Sequence, residues 1–389
     1  MMSKTAILTS EESFHNNYGA VLQGYALYTT VQEMGCEPII VRYRGGTFIE
    51  LNLYRKFRHR LGIMYRNLFP SDEKKRSMAL RHMYEAPIRE REAFFLNFQR
   101  ETMTFFSQER LTWPQLKTNP PVANVYLCGS DQIWNPYFKS GRNDPGYFLA
   151  FAPEGARKIA YAPSFGCSDL PESAREDIED LLRDFSAISV RERSGVEIVR
   201  KYAHKDAELV LDPTLLRTPQ QWREISRIPQ NLPEKYILCY RFAESERTKS
   251  TINAIAKMTG LPVCSLPLSD VALADPYQLF FEAGPREFVG MIDRAALVLT
   301  DSFHATVFSI LMNTPVCVFL RESYQTGNSM NSRVYNLLEM LGLTEHILKE
   351  NDSVEKAVQC LELNYEHAYE LLEEHRQRSL RFLERALKE

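Results

Sequence analysis

The strongest constraint on this chain is an alternation of short apolar runs with helical segments, which halts at a cluster of prolines and then resumes. Residues 5–9 read as a short buried strand, and a polar loop, Ser10–Asn17, leads into a helical pattern over Ala20–Met34. Gly35 ends that helix, and residues 37–43 give a second strand. Strand, helix and strand within about 40 residues form a βαβ unit, which implies a parallel sheet. Strands are expected again at 125–128, 158–162 and 187–190, the last before a helix at about 193–202.

Pro213, Pro219, Pro229 and Pro233 fall within residues 212–234 and mark the connection between two domains. Alternation restarts at once: strands at 236–240, 261–266, 296–300 and 315–319, helices at 246–259, 285–294 and 303–312. The tail from Ser353 is helical, with Val354, Val358, Leu361, Tyr365, Ala368 and Leu372 spaced four and three apart. The predicted fold is α/β, two Rossmann-like doubly wound domains in a GT-B-like arrangement. An N-terminal domain, 1–215, would take the acceptor and a C-terminal domain, 216–350, the donor. A C-terminal helix within 351–389 would pack back across both.

Residues 51–110 break the alternation. They hold 13 Lys plus Arg against 7 Asp plus Glu, with Tyr54, Phe57, Tyr65, Phe69, Phe94 and Phe95 threaded between them. This is a helical insert in the first domain. It is either a solvated excursion whose apolar stripe packs on the sheet, or an interfacial surface for an anionic membrane or lipid-linked substrate.

The chain of 389 residues carries a net charge of -3, which argues against a nucleic-acid partner. Its seven cysteines form no C-x-x-C pair and several sit in apolar runs, as expected of a cytoplasmic protein with core thiols. No secretory signal is read at MMSKTAILTS, and the most apolar long region, 295–320, is interrupted by Asp301, His304 and Asn313.

Ligands of open parallel sheets bind beyond the carboxyl ends of the strands, so the polar residues there are the candidates. Asp301-Ser302-Phe303-His304 stands between a strand and a helix, where free N–H groups favour a phosphate or carboxylate and His304 could move a proton. Arg191 follows another strand and offers a planar fork for carboxylate or phosphate. Gly129-Ser130-Asp131-Gln132-Ile133-Trp134 resembles a polar turn with an aromatic platform for a sugar ring. In His15-Asn16-Asn17-Tyr18-Gly19, the glycine would let a ligand or the other domain approach the backbone closely. No G-x-G-x-x-G, Walker loop, D-x-D, G-x-S-x-G elbow or metal-ligand spacing appears, which favours metal-independent transfer.

These motifs resemble those of the polysaccharide pyruvyl transferase family, through Asn17-Tyr18-Gly19-Ala20, Gly129 to Asn135, Ser189-Val190-Arg191-Glu192, Leu211-Asp212-Pro213-Thr214 and Thr300 to His304. The resemblance implies transfer of the pyruvyl group of phosphoenolpyruvate onto two hydroxyls of a surface-polysaccharide sugar, as a cyclic ketal with release of phosphate. Phosphoenolpyruvate would be a co-substrate, with no further cofactor. The acceptor would be a saccharide, in many such enzymes linked to a polyprenyl diphosphate, which would suit peripheral contact of the basic insert with the inner face of the membrane.

By the same resemblance Arg191 matches an arginine that holds phosphoenolpyruvate and His304 the histidine of the family's Arg-Leu-His signature, and both would act in catalysis; independently of the resemblance, the chemistry would let the Asp131 carboxylate accept hydroxyl protons. Asn17, Tyr18, Gln132 and Trp134 are the residues expected to contact the acceptor. The chain departs from the family's Arg-Leu-His signature, since Ser302 and Phe303 precede His304 in the donor site. A serine supplies no charge, so either another cation substitutes, Arg333 first or Arg241 second, or the donor differs. The alternatives are a GT-B-type glycosyltransferase using a nucleotide-sugar donor and a non-catalytic saccharide-binding protein.

Overall fold

The computed structural model describes residues 3–11, 14–48, 71–243, 245–267, 270–321, 331–349, 352–362 and 365–388. Two six-stranded sheets are built from the apolar runs, and every neighbouring pair of strands is parallel. The first sheet contains β1 (Ser3–Leu8), β2 (Cys36–Ile40), β3 (Val125–Cys128), β4 (Arg157–Ala160), β5 (Phe185–Val190) and β6 (Glu208–Leu209), in the order β2-β1-β3-β4-β5-β6. Its helices include α1 (Tyr18–Glu33), α2 (Asp72–Met83), α3 (Glu85–Thr102) and α4 (Arg193–Ala203).

The proline-rich connection becomes a 3-10 turn, Pro213–Leu216, and a short helix, α5 (Pro219–Ile225). The second sheet contains β7 (Ile237–Tyr240), β8 (Val263–Ser265), β9 (Gln278–Leu279), β10 (Leu297–Thr300), β11 (Val316–Phe319) and β12 (Ile347–Leu348), ordered β12-β11-β10-β7-β8-β9. With it go α6 (Glu246–Thr259), α7 (Pro285–Arg294), α8 (Phe303–Met312), α9 (Ser332–Met340) and, at the end, α10 (Glu366–Lys388). This is the GT-B-like pair of Rossmann-like lobes.

Local chemistry sets the helix starts. Asn17 caps α1 by accepting from Ala20 N at 3.2 Å, and Ser302 caps α8 by accepting from Ala305 N at 3.4 Å. Strands β3, β7, β10 and β11 are buried throughout, as parallel strands covered on both faces must be. All seven cysteines are buried free thiols. Among the described residues, no helix is long and apolar enough to cross a membrane.

The described part of the insert corrects the expectation of a stripe packed on its own sheet. Helix α3 packs its apolar face on α1, with Phe95 4.9 Å from Tyr18 and Phe98 5.3 Å from Tyr25, and reaches the second lobe as well. Arg91 Nη1 donates to the Pro267 carbonyl, Arg286 pairs with Glu101 at 3.1 Å, and the Tyr84 and Phe281 rings stack at 5.1 Å. Residues 51–70, with Tyr54, Arg55, Lys56, Phe57, Arg58, Arg60, Tyr65 and Phe69, lie outside the described residues. The tail divides, with a short helix at Val354–Gln359 ahead of α10. Tyr369 OH donates to Ile310 O in the second lobe at 2.7 Å, and Leu387 O accepts from Arg157 of the first at 3.0 Å.

Candidate active site

Chain order reverses between β1 and β3 in one sheet and between β7 and β10 in the other. At such switch points neighbouring connections diverge and leave a crevice beyond the strand ends. A cavity of about 340 Å³ opens between the two crevices. Ser10, Asp131 and Gln132 line it from the first lobe, and Phe242, Phe303 and His304 from the second. Its volume is in the range that holds a small ligand.

The charged centre is assembled from distant segments. Arg191, just past β5, directs Nη1 to Asp212 Oδ2 at 2.5 Å and Nη2 to Asp131 Oδ1 at 3.3 Å. Arg333 on α9 lies 3.7 Å from Asp131 Oδ1, and His304 Nε2 lies 3.7 Å from Asp212 Oδ2. The guanidinium carbons of Arg191 and Arg333 stand 4.5 and 5.7 Å from the centre of the Phe303 ring. Ser130 Oγ and Thr214 Oγ1 also donate to Asp212, at 3.1 and 2.7 Å, so both of its oxygens are bonded.

Electrostatics follow from that packing. Burial works against ionised Asp212, but His304 and Arg191 outweigh it and hold the carboxyl well below the usual carboxylate range. Asp131 is likewise lowered: burial opposes its charge, and Arg191, His304 and Arg333 overcome the penalty. Arg333 is pushed down to about 10 by burial and by the like charge of Arg191. Nε of Arg191, Nε of Arg333 and Nε2 of His304 are buried without a hydrogen-bond partner among the described residues. Paired carboxylates beside incompletely bonded cations make a site for an anion that also offers acceptors to hydroxyl groups.

Gly19 explains how His304 gets there. A Cβ on Gly19 would overlap the imidazole around Nδ1, so the second lobe's histidine lies directly on the first turn of α1. With Nε2 turned to Asp212, Nδ1 is the nitrogen on the α1 side of the ring. Gly129 has φ 131°, and a Cβ there would run into the Tyr161 carbonyl, so only glycine allows the turn that presents Asp131. Asp131 itself has φ 67°, an uncommon conformation for a residue with a side chain, and these cluster at functional sites.

The structure brings Asn17, Asp131, Gln132, Ser302, Phe303, His304 and Arg333 to one cavity, with Arg191 just behind Asp131. Three residues expected at the site lie elsewhere. Tyr18 is core: its OH donates to Ala283 O at 2.6 Å and its ring stacks on Phe288 at 4.6 Å. Trp134 is core too, stacked on Phe148 at 4.8 Å with Nε1 donating to Tyr147 O, so it forms no sugar platform. Arg241 is buried against Asp275 and borders a neighbouring cavity, so among the two candidates for the missing cation only Arg333 faces Asp131.

Sequence reasoning missed Asp212, Arg321 and Glu192 as site residues. Asp212 sits in the proline-rich connection; its signal was the Leu211-Asp212-Pro213-Thr214 motif of the resemblance, which assigned it no role. Arg321 follows β11, lines the cavity and pairs with Asp301 at 3.2 Å; its signal was the strand end before it. Buried Glu192 accepts from Ser164 Oγ and from the N–H groups of Phe165 and Gly166, bracing the loop against Asp131. Among the described residues, no group of three or more His, Cys, Asp or Glu side chains could hold a metal ion.

A family model described as polysaccharide pyruvyl transferase matches residues 17–323. No curated protein matches the chain. Among solved structures, the chain is similar to Arabidopsis thaliana UGT89C1 complexed with UDP-L-rhamnose, at 11% identity and a TM-score of 0.46, covering 98% of this chain and 94% of that one. It is similar also to the UDP-GlcNAc 2-epimerase of Neisseria meningitidis bound to UDP-GlcNAc, at 11% identity and a TM-score of 0.46, covering 100% and 99%. The E. coli heptosyltransferase WaaC with ADP-2-deoxy-2-fluoro heptose follows at 12% identity and a TM-score of 0.37, covering 86% and 99%.

Proposed function

Because this chain belongs to the polysaccharide pyruvyl transferase family, we propose that its interlobe cavity transfers the pyruvyl group of phosphoenolpyruvate to two hydroxyls of a saccharide. The observation that carries this reading is the convergence of Arg191, Arg333 and His304 on Asp131 and Asp212 at paired switch points. Arg333 stands in for the cation absent at Ser302 and meets the donor's phosphate or carboxylate, with Arg191 behind it. The free N–H groups at the start of α8 add to the anion's reception.

The chemistry balances within this set. One acceptor hydroxyl adds to C2 of the enol ether while the methylene carbon takes a proton, becoming a methyl group. His304 is the donor of that proton, and the proton of the attacking hydroxyl restores it. The second hydroxyl then forms its bond to C2 as the C2–O bond to phosphate breaks. The second hydroxyl's proton leaves with the phosphate. Asp131, held ionised by its cations, accepts a hydrogen bond from the attacking hydroxyl and aligns it. Arg191 and Arg333 stabilise the charge that gathers on the departing phosphate.

The test is phosphate release and the appearance of a ketal methyl singlet by NMR, with phosphoenolpyruvate and a panel of saccharides. Arg333→Ala is expected to lower kcat/KM by about a hundredfold or more, as loss of a charge-stabilising contact does. No phosphate release with any acceptor, alongside consumption of a nucleotide sugar, would overturn the reading in favour of glycosyl transfer. Saccharide binding without turnover of either donor would overturn it in favour of a binding protein.

A further inference from the structure

A second and larger cavity, about 610 Å³, lies wholly on the second lobe. It opens beyond the carboxyl ends of β7, β10, β11 and β12, at the same switch point, and is separated from the interlobe cavity by Arg321, which lines both. Nothing in the pyruvyl-transfer chemistry uses it, and phosphoenolpyruvate is too small to need both spaces.

Among the described residues, charge on its walls does not cancel. Asp301 is committed: it accepts from the N–H groups of Phe242 and Ala243 and pairs with Arg321. Asp352 is committed to Lys356 at 2.6 Å and to Lys349 N. Arg241 is taken by Asp275. Arg247 has no acidic partner among the described residues; its Nη2 donates to the carbonyls of Lys349 and Asp352, which fix it beside the cavity. Lys349 has no ion pair among the described residues. Two cations at one rim suit a diphosphate.

The rest of the lining suits a nucleoside. Thr248 and Thr251 present hydroxyls from one side, while Phe319, Leu320 and Leu348 give an apolar wall. A polyprenyl chain would need an apolar path leading out. None of the exposed large apolar side chains among the described residues lines this cavity.

We propose that this cavity binds the nucleoside diphosphate of a nucleotide-linked sugar, whose sugar reaches past Arg321 into the interlobe cavity as the acceptor. The acceptor role rests on the pyruvyl-transfer reading; the nucleotide site does not.

The experiment is thermal melting and calorimetric titration of the full chain with uridine, guanosine and cytidine diphosphates, inorganic pyrophosphate and farnesyl diphosphate, with and without phosphoenolpyruvate. One nucleoside diphosphate is expected to raise Tm, by mass action, on top of the shift that phosphoenolpyruvate gives. Arg247→Ala and Lys349→Ala, both at exposed positions, are expected to weaken it about tenfold each and to leave the phosphoenolpyruvate shift unchanged. The site is overturned if no nucleoside diphosphate binds, or if pyrophosphate or farnesyl diphosphate binds as well as the best nucleotide. It is also overturned if the nucleotide competes with phosphoenolpyruvate and ignores both substitutions. A nucleotide shift that obeys the substitutions, with no phosphoenolpyruvate shift at all, supports the nucleotide site and overturns the pyruvyl-transfer reading.

Discussion

Gly19 is the position where one hydrogen atom decides the site. Its missing Cβ is what lets the His304 imidazole rest on α1 while Nε2 faces Asp212. Gly19→Ala should favour α1 by local propensity, by about 1 kcal/mol, yet its methyl group must evict the ring. The expected outcome is a protein that stays folded by circular dichroism while kcat falls at least about a hundredfold, because displacement at the reacting centre is costly. Unchanged turnover in this variant would remove His304 from the chemistry. Asp212 makes the second test at this scale. Its carboxyl is held below the unfolded value of about 3.9, so its ionised form favours the folded state, fully above that value and less as pH falls through the lower folded pKa. Asp212→Asn removes one charge of a buried pair and should cost about 3 kcal/mol at pH 7. In melts from pH 7 to 3, the gap between wild type and variant is expected to hold constant above about pH 5 and to narrow below about pH 4. A gap independent of pH would show that Asp212 carries no depressed titration.

The elements were legible where local and periodic signals agree. Residues 246–259, 285–294 and 303–312 fold as the helices expected, because caps at Ser245 and Ser302 and the proline at 285 mark where each begins. Gly19 was legible as a point of close approach, since a glycine at a helix start has few other uses. What the sequence could not carry is partnership between segments far apart. Trp134 follows a glycine turn, and only the fold reveals Phe148 beneath it. Asp212 looks like linker until Arg191 and His304 converge on it. The same limit applies to α3, whose aromatic residues suit a membrane, a sheet or another domain equally well. In the structure Phe95 is fully buried with its ring 4.9 Å from Tyr18 of α1, which itself stacks on Phe288 of α7. Phe95→Ala should therefore behave as a core truncation and cost about 3–5 kcal/mol. Denaturant unfolding checks it: a loss under about 0.5 kcal/mol, ordinary for a surface site, would mean that α3 is no strut.

For the whole molecule the question is whether the lobes move independently, the default for two domains unless their interface is large and apolar. Three ties oppose that default, and they lie on different sides. His304 enters the first lobe at Gly19 and Asp212. Helix α3 crosses to the second lobe through Arg91 and Glu101, while its Phe95 packs on Tyr18 of α1. Helix α10, with Tyr365 just before it, spans both: Tyr369 and Tyr365 bond to Ile310 and Thr314, then Arg376 to Leu215, and Ser379 accepts from Leu211 N. The main apolar cluster is continuous as well, running from Leu127 and Val21 in one lobe to Phe288 and Val298 in the other. A lobe that unfolded alone would expose that shared surface and leave buried polar partners unpaired, so partial unfolding is penalised on both counts. Scanning calorimetry is therefore expected to give one transition whose calorimetric and van't Hoff enthalpies agree, with phosphoenolpyruvate moving it as a whole. Two resolved transitions, only one of them moved by phosphoenolpyruvate, would mean that the site belongs to a single lobe. The cavity between the switch points would then be a gap and not a built centre, and the assignment of Arg191, Arg333 and His304 to one reaction would fail with it.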